Sequence, residues 1–226
     1  MTAADTRFMT LALALGRRGM GQVWPNPAVG CVIVQGAVIV GRGTTQRYGR
    51  PHAERVALDQ AGDAARNATV YVTLEPCAHQ GKTPPCADAL IAAGVARVVV
   101  ATGDPDPRTA GQGIARLQAA GITVEVGLLR RAAEQDHAGF LKRINHQRPF
   151  VTLKLASSLD GRIATASGES RWITGPLARR AVHALRARHD AVLVGAGTAR
   201  ADDPMLDVRD LGEVRQPVHV VLSRDL

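Results

Sequence analysis

The sequence predicts an α/β protein in two parts: a three-layer domain over residues 1–145 and a second α/β domain over residues 146–226. Three observations predict it. Apolar runs of strand length alternate with amphipathic stretches of helix length, which favours a mixed or parallel sheet with helices on both faces. Residue types that bind metals fall at the junctions between those runs. Asn145-His146-Gln147-Arg148-Pro149 then breaks the alternation as a linker, and a fresh apolar run follows it.

Taken in order, residues 5–18 set Phe8, Met9, Leu11, Leu13 and Leu15 on an amphipathic helix that the glycines from Gly16 to Gly21 close. Trp24-Pro25-Asn26-Pro27 forces an extended, turn-rich approach to a hairpin, residues 29–34 and 37–40, reversed at Gln35-Gly36. Cys31 lies inside the first of these strands as core packing. A loop after Gly41-Arg42-Gly43 delivers Pro51-His52-Ala53-Glu54 to the head of a helix over 53–60. A buried strand, 69–74, runs into Glu75-Pro76-Cys77. Pro84-Pro85 precedes a helix over 86–93, where proline is tolerated, and Gly94 ends it. A strand at 97–100, a helix at 114–120 and a strand at 123–126 complete the alternation. Arg130-Arg131 reads as a basic turn before a helical stretch through Phe140 to Arg143. Past the linker, 150–155 reads as a buried strand, 177–188 as a helix, and 191–194 as a strand running into Gly195-Ala196-Gly197-Thr198; the end of the chain follows a last strand from Val218.

The chemistry concentrates in His52, Glu54, Cys77 and Cys86. One imidazole and two thiolates suit the tetrahedral N/S preference of Zn²⁺, and three protein ligands leave a fourth position open, where bound water has a pKa near 7. Glu54 is too close in sequence to His52 to be a comfortable fourth ligand, so its carboxylate is the natural proton shuttle. The pattern H-x-E followed by P-C-x-x-C is the described signature of zinc deaminases. This chain departs from it in one respect: eight residues, Ala78 to Pro85, separate the two cysteines. Scattered cysteines are usually small buried hydrophobes, and H-x-E occurs by chance on many helices. The strand-to-helix context lifts this set above that background, because both cysteines fall at or near a helix start, where partial positive charge favours thiolate.

Three cysteines, two of them ligands, argue for a reducing compartment and a cytoplasmic protein. No apolar run approaches the ~20 residues of a membrane span, and Met1-Thr2-Ala3-Ala4-Asp5 lacks a basic, apolar leader. The formal charge is +8, with only three lysines among 28 basic residues. The excess is spread over both halves, and aromatic residues make up only 3%. Nucleic acid is therefore not the expected partner; phosphorylated small molecules are.

Pro25-Asn26-Pro27-Ala28-Val29-Gly30-Cys31, Pro51 to Glu54, the run from Tyr71 to His79, Gly81-Lys82-Thr83-Pro84-Pro85-Cys86 and the run from Ala93 to Val100 together resemble the bacterial riboflavin-biosynthesis deaminase-reductases. In that family eight residues separate the cysteines. The resemblance implies a zinc-dependent, cytidine-deaminase-like domain that removes the 2-amino group of 2,5-diamino-6-(5-phosphoribosylamino)pyrimidin-4(3H)-one as ammonia. It assigns substrate contacts to Asn26, Lys82 and Asp104, with Lys82 meeting the phosphate. Thr45 stands where the family usually has His, and Asp106 where it often has Asn. His79 is expected to be a loop residue near the site.

Taken on its own, Gly195-Ala196-Gly197 after a strand is a weak phosphate-loop hint. The second half nevertheless resembles the family's dihydrofolate-reductase-like domain, which uses NADPH to reduce the ribosyl group to ribityl. The resemblance puts Ala156, Trp172, Thr198 and Asp202 around NADP, and Ser170, Arg186, Leu206 and Arg209 around the substrate. Family members continue well past the strand at 218, so the second half is expected to be an incomplete sheet, with weak or absent reduction and an open edge suited to self-association. A zinc deaminase of another nucleobase, nucleoside or tRNA shares the metal set; Lys82 and the fused second half argue against it. A third reading, a nucleotide-binding protein that keeps zinc only for stability, is separated by whether Glu54 is needed for ammonia release.

Overall fold

The computed structural model describes residues 1–81 and 83–224. The chain divides into two compact units, Met1–Phe150 and Val151–Leu226.

In the first unit α1 (Ala3–Arg17) leads into β1 (Gly30–Gln35) and β2 (Val38–Thr44), and then α2 (Ala53–Ala61), β3 (Thr69–Val72), α3 (Cys86–Ala92), β4 (Arg97–Val100), α4 (Gln112–Ala119) and β5 (Thr123–Val126) alternate. The sheet order is β2-β1-β3-β4-β5. β1 runs antiparallel to both β2 and β3, whereas β3, β4 and β5 are parallel. Each inner strand is apolar on both sides because each side meets a helix layer. Cys31, Ile33, Val70, Val72, Val98 and Val100 face Ala53 and Ala57 of α2, Leu90 of α3 and Leu117 of α4. Val32, Val34, Tyr71 and Val99 face Phe8, Met9 and Leu13 of α1. The three-layer expectation for this unit holds, and Cys31 is fully buried.

Small residues set the spacing between sheet and helix. A side chain at Gly43 would bring its Cβ to 1.9 Å from the carbonyl oxygen of Ala53, so only glycine lets β2 pass this close to the start of α2. That contact fixes the turn of helix that follows His52. Two segments differ from the sequence reading. The basic turn at Arg130-Arg131 is the start of a helix, α5 (Arg130–Asp136), whose Ala133 packs into the α1 layer. The helix α6 (Ala138–His146) extends into the residues read as linker.

The second unit holds α7 (Pro176–Ala187), β6 (Ala191–Gly195), α8 (Ala196–Asp202) and β7 (Val218–Leu222), with β6 and β7 paired in parallel. The buried strand expected at 150–155 does not form: its residues are exposed and lie in no strand. Its alternating apolar side chains find no neighbouring strand among the described residues, and extended backbone without a pairing edge or a covering layer gains nothing from strand geometry.

Candidate metal centre and active site

The site sits beyond the C-terminal ends of parallel strands β3 and β4, where such sheets leave a crevice. A cavity of about 340 Å³ opens there, lined entirely by the first unit. His52 caps the start of α2, so Glu54 lies in that helix's first turn, while Cys86 opens α3. Cys77 is in the loop after β3 rather than in a helix. Its sulfur still lies at the head of α3, where it accepts the Cys86 backbone N–H at 3.3 Å.

His52 Nδ1 lies 3.6 Å from Cys77 Sγ and 3.4 Å from Cys86 Sγ. All three ligand atoms fall within 4.8 Å of one another. Tetrahedral zinc, with Zn–N near 2.0 Å and Zn–S near 2.3 Å, would hold nitrogen and sulfur about 3.5 Å apart. The residues present therefore fit the ion. Hydrogen bonding with Cys86, then with His52, pulls the Cys77 thiol down to about 4, whereas the same contact and burial push Cys86 up.

Glu54 is 4% exposed. Burial, then the negative charge of Cys77, pushes its carboxyl up to about 7. A carboxyl poised near neutrality can both take and return a proton. Asn26 donates from Nδ2 to the Gly49 carbonyl at 2.8 Å and lies 3.2 Å from His52 Nε2, on the far side of the ring from the sulfurs. Gly49 has φ +84°, and a Cβ there would approach the Asn26 side chain to 2.7 Å, so glycine is required for this contact. Asp104 and Asp106 line the same cavity. Burial raises Asp104 to about 6, while Arg108 holds Asp106 below the usual carboxylate range through two side-chain bonds of 2.9 and 2.6 Å. Thr45 is buried and accepts the Val29 N–H at 3.1 Å, closing the loop that carries Asn26 onto β2. His79 borders the cavity beside Thr109, outside the three-ligand cluster. Lys82 lies outside the described residues.

Sequence reasoning quoted Glu75 as part of the motif without giving it work. Its buried carboxylate accepts backbone N–H groups from Asp104, Gly111, Gly113 and Ile114 at 3.0 to 3.3 Å, pinning the segment that brings Asp104 and Asp106 to the cavity. It also missed Arg50, Arg108 and Arg143, which line the cavity but read in sequence as ordinary solvated charges.

In the second unit, Arg186, Leu206 and Arg209 come together. Arg186 Nη1 donates to the Asp207 carbonyl at 3.0 Å, the Arg209 N–H meets His183 Nδ1 at 3.2 Å, and Leu206 is buried beside them. Ser170 is exposed in an irregular stretch. Trp172 is 70% exposed under the Arg179 guanidinium, 4.4 Å from its ring centre, and Thr198 and Asp202 are exposed on α8. No hydrogen bond among the described residues joins Ala156, Trp172, Thr198 and Asp202 to one another.

Residues 2–102 match the cytidine and deoxycytidylate deaminase zinc-binding region, and residues 149–226 match the RibD C-terminal domain. The riboflavin biosynthesis protein RibD of Escherichia coli is 54% identical over 97% of this chain. The chain belongs to the RibD family. The Aquifex aeolicus RibD is 48% identical over 98% of the chain. The chain spans 63% and 62% of the lengths of these two relatives. Among solved structures, Acinetobacter baumannii RibD matches 98% of this chain and 64% of its own, at 50% identity and a TM-score of 0.90. The diaminohydroxyphosphoribosylaminopyrimidine deaminase/5-amino-6-(5-phosphoribosylamino)uracil reductase of Thermotoga maritima matches the same shares at 44% identity and a TM-score of 0.93. The two family matches account for the attachment of a second α/β unit to a zinc-binding one. No helix among the described residues is long and apolar enough to cross a membrane.

Proposed function

We propose that the first unit is a zinc-dependent aminohydrolase of riboflavin biosynthesis, releasing ammonia from 2,5-diamino-6-(5-phosphoribosylamino)pyrimidin-4(3H)-one. The observation that carries the reading is the pair of nitrogen-to-sulfur separations, 3.6 and 3.4 Å, beside a buried carboxylate. His52, Cys77 and Cys86 would hold the ion. Zinc bound there supplies the Lewis acidity that makes water a nucleophile near neutral pH. Glu54 takes the proton from the attacking water and returns it to the departing amine, a role that needs a carboxyl titrating near the working pH. Its place in the first turn of α2, two residues after His52, puts it on the cavity wall. Asn26 and Asp104 supply polar contacts for the pyrimidine, and Lys82 is assigned to the phosphate by resemblance. Val29, Leu74 and Phe140 supply the apolar part of the cavity wall.

The second unit we assign to an NADPH-linked reduction of the ribosyl side chain, with Arg186, Leu206 and Arg209 on the substrate and Ala156, Trp172, Thr198 and Asp202 on the cofactor. The clustering of the first three supports the substrate half of that assignment. The protein is expected in the cytoplasm, acting on a small molecule.

The decisive experiment replaces Glu54 with Gln. Zinc content stays at one ion per chain, while ammonia release falls by at least about 10²-fold, the usual loss for a missing general acid–base. Ammonia release at the wild-type rate would remove Glu54 from the mechanism.

A further inference from the structure

The cavity is electrically divided. Its buried end carries Glu54 and Cys77, and its wall adds Glu75, Asp104 and Asp106. Three arginines border the same cavity. Arg108 is consumed by Asp106, whose two carboxylate oxygens it engages. The other two are held differently. Arg50 donates from Nη1 to the Thr83 hydroxyl at 2.8 Å. Its Nη2 lies so close to Gly81 that a Cβ there would meet it at 2.9 Å. Arg143 donates from Nη2 to the Pro25 carbonyl at 3.0 Å and rests 5.7 Å from the Phe140 ring centre. Both are aimed by neutral acceptors, and neither meets a carboxylate within the described residues.

Arg17, Arg55, Arg97 and Arg116 of the same unit, like Arg108, instead meet Asp or Glu. An arginine that is oriented but left without a counter-charge keeps most of its five N–H donors for an outside anion, in the planar fork that matches phosphate oxygens. A diffuse solvated charge would need no such fixed aim. The two anchors also come from different parts of the site: Arg50 grips the loop between the two cysteines, and Arg143 ties α6 to the Pro25-Asn26 turn.

We propose that Arg50 and Arg143 form the phosphate-binding side of the cavity and set its preference for a phosphorylated pyrimidine over the dephosphorylated form. The proposal deepens the deaminase reading and rests on it for the identity of the substrate. Each guanidinium contributes charge-assisted hydrogen bonds to the phosphate, and the reacting amine is then delivered to the metal end by a tether of fixed length. Neither residue takes part in the proton transfers.

The test uses the zinc-loaded full chain and the variants Arg50→Ala, Arg143→Ala, the double variant and Arg143→Lys. Zinc content and melting temperature are checked for each. Two readouts are taken: calorimetric titration with ribose 5-phosphate, and ammonia release from the phosphorylated pyrimidine and from its dephosphorylated form. Each single alanine variant weakens ribose 5-phosphate binding and raises KM for the phosphorylated substrate about 10-fold, and the double variant about 100-fold, as expected for losing charge-assisted contacts. Arg143→Lys falls between wild type and Arg143→Ala. The kcat moves far less than KM, and the preference for the phosphorylated form collapses in the double variant. Wild-type affinity for ribose 5-phosphate in the double variant, or a loss in kcat with KM preserved, overturns the assignment, as does wild-type protein that does not bind ribose 5-phosphate. If the wild type releases ammonia from neither pyrimidine, the deaminase reading fails, and the ribose 5-phosphate titration still decides the arginines.

Discussion

The two units are built from similar material and end in different states. In the first, β1, β3 and β4 are closed on both faces, so that Val32, Ile33, Val70, Val72, Val98, Val99 and Val100 are fully buried. In the second, β6 and β7 pair with each other, yet Leu193, Val218 and Leu222 stay more than half exposed. Among its described residues Leu206 and Val208 are buried, and each is still 6 to 7% exposed. Strand propensity is alike in both. What differs is whether a second layer arrives to remove the apolar surface from water, and that removal is the dominant stabilising contribution.

The largest effect that could break this contrast comes from truncating one leucine in each unit. Leu90, fully buried between α3 and the sheet, should lose about 2–5 kcal/mol on substitution by Ala, whereas exposed Leu193→Ala should change stability by less than about 0.5 kcal/mol. Urea unfolding followed by circular dichroism reads both. Equal losses would mean that the second unit is far better packed than its exposure indicates.

An intermediate effect sharpens the same point through pH. His137, at the junction of α5 and α6, is buried; Nε2 lies 3.2 Å from the Thr73 hydroxyl, and Nδ1 meets no hydrogen-bond partner among the described residues. Burial depresses its pKa to about 4. The unfolded chain binds the proton first, at about 6.5, so between those values the unfolded state holds more protons and stability rises with pH. The contribution is complete above about 6.5 and is lost as pH falls towards 4, amounting to about 3 kcal/mol. Comparing urea midpoints of wild type and His137→Gln from pH 7 to 4.5 isolates it. The variant should show a shallower decline, and parallel curves would refute the assignment.

The smallest expected effect lies on the surface of the first unit, where burial does not help. Arg116 meets Asp88 at 2.9 Å with both side chains more than 40% exposed. Water screens such a pair, so Arg116→Ala should cost no more than about 1 kcal/mol and that cost should shrink in high salt. A salt-insensitive loss would point to packing by the arginine stem instead.

Much of this was legible in the chain. The ligand set was readable because metal chemistry restricts residue type and spacing together, and the three ligands do converge. The β/α alternation was readable because strands buried on both faces are apolar throughout. Three features were not. Helix α5 hides behind Arg130-Arg131, whose charges look like a turn, because it offers the core little beyond Ala132, Ala133 and its N-cap Leu129. The apolar run at 150–155 read as a buried strand, yet pairing requires a neighbour that no local pattern supplies. Arg50 and Arg143 at the cavity carry no local signal, since their aim depends on acceptors 33 and 118 residues away.

By itself the sequence determined which atoms could bind a metal and which carboxylate was left over, because those follow from residue chemistry and from spacing along one strand-to-helix junction after another. The tertiary structure alone decided how far apart those atoms stand, that Glu54 is dry enough to titrate near neutrality, that Glu75 ties down the loop bearing Asp104, and which arginines keep an uncancelled charge. Each of these depends on distances between residues remote in the chain, set by how closely helix and sheet can pack.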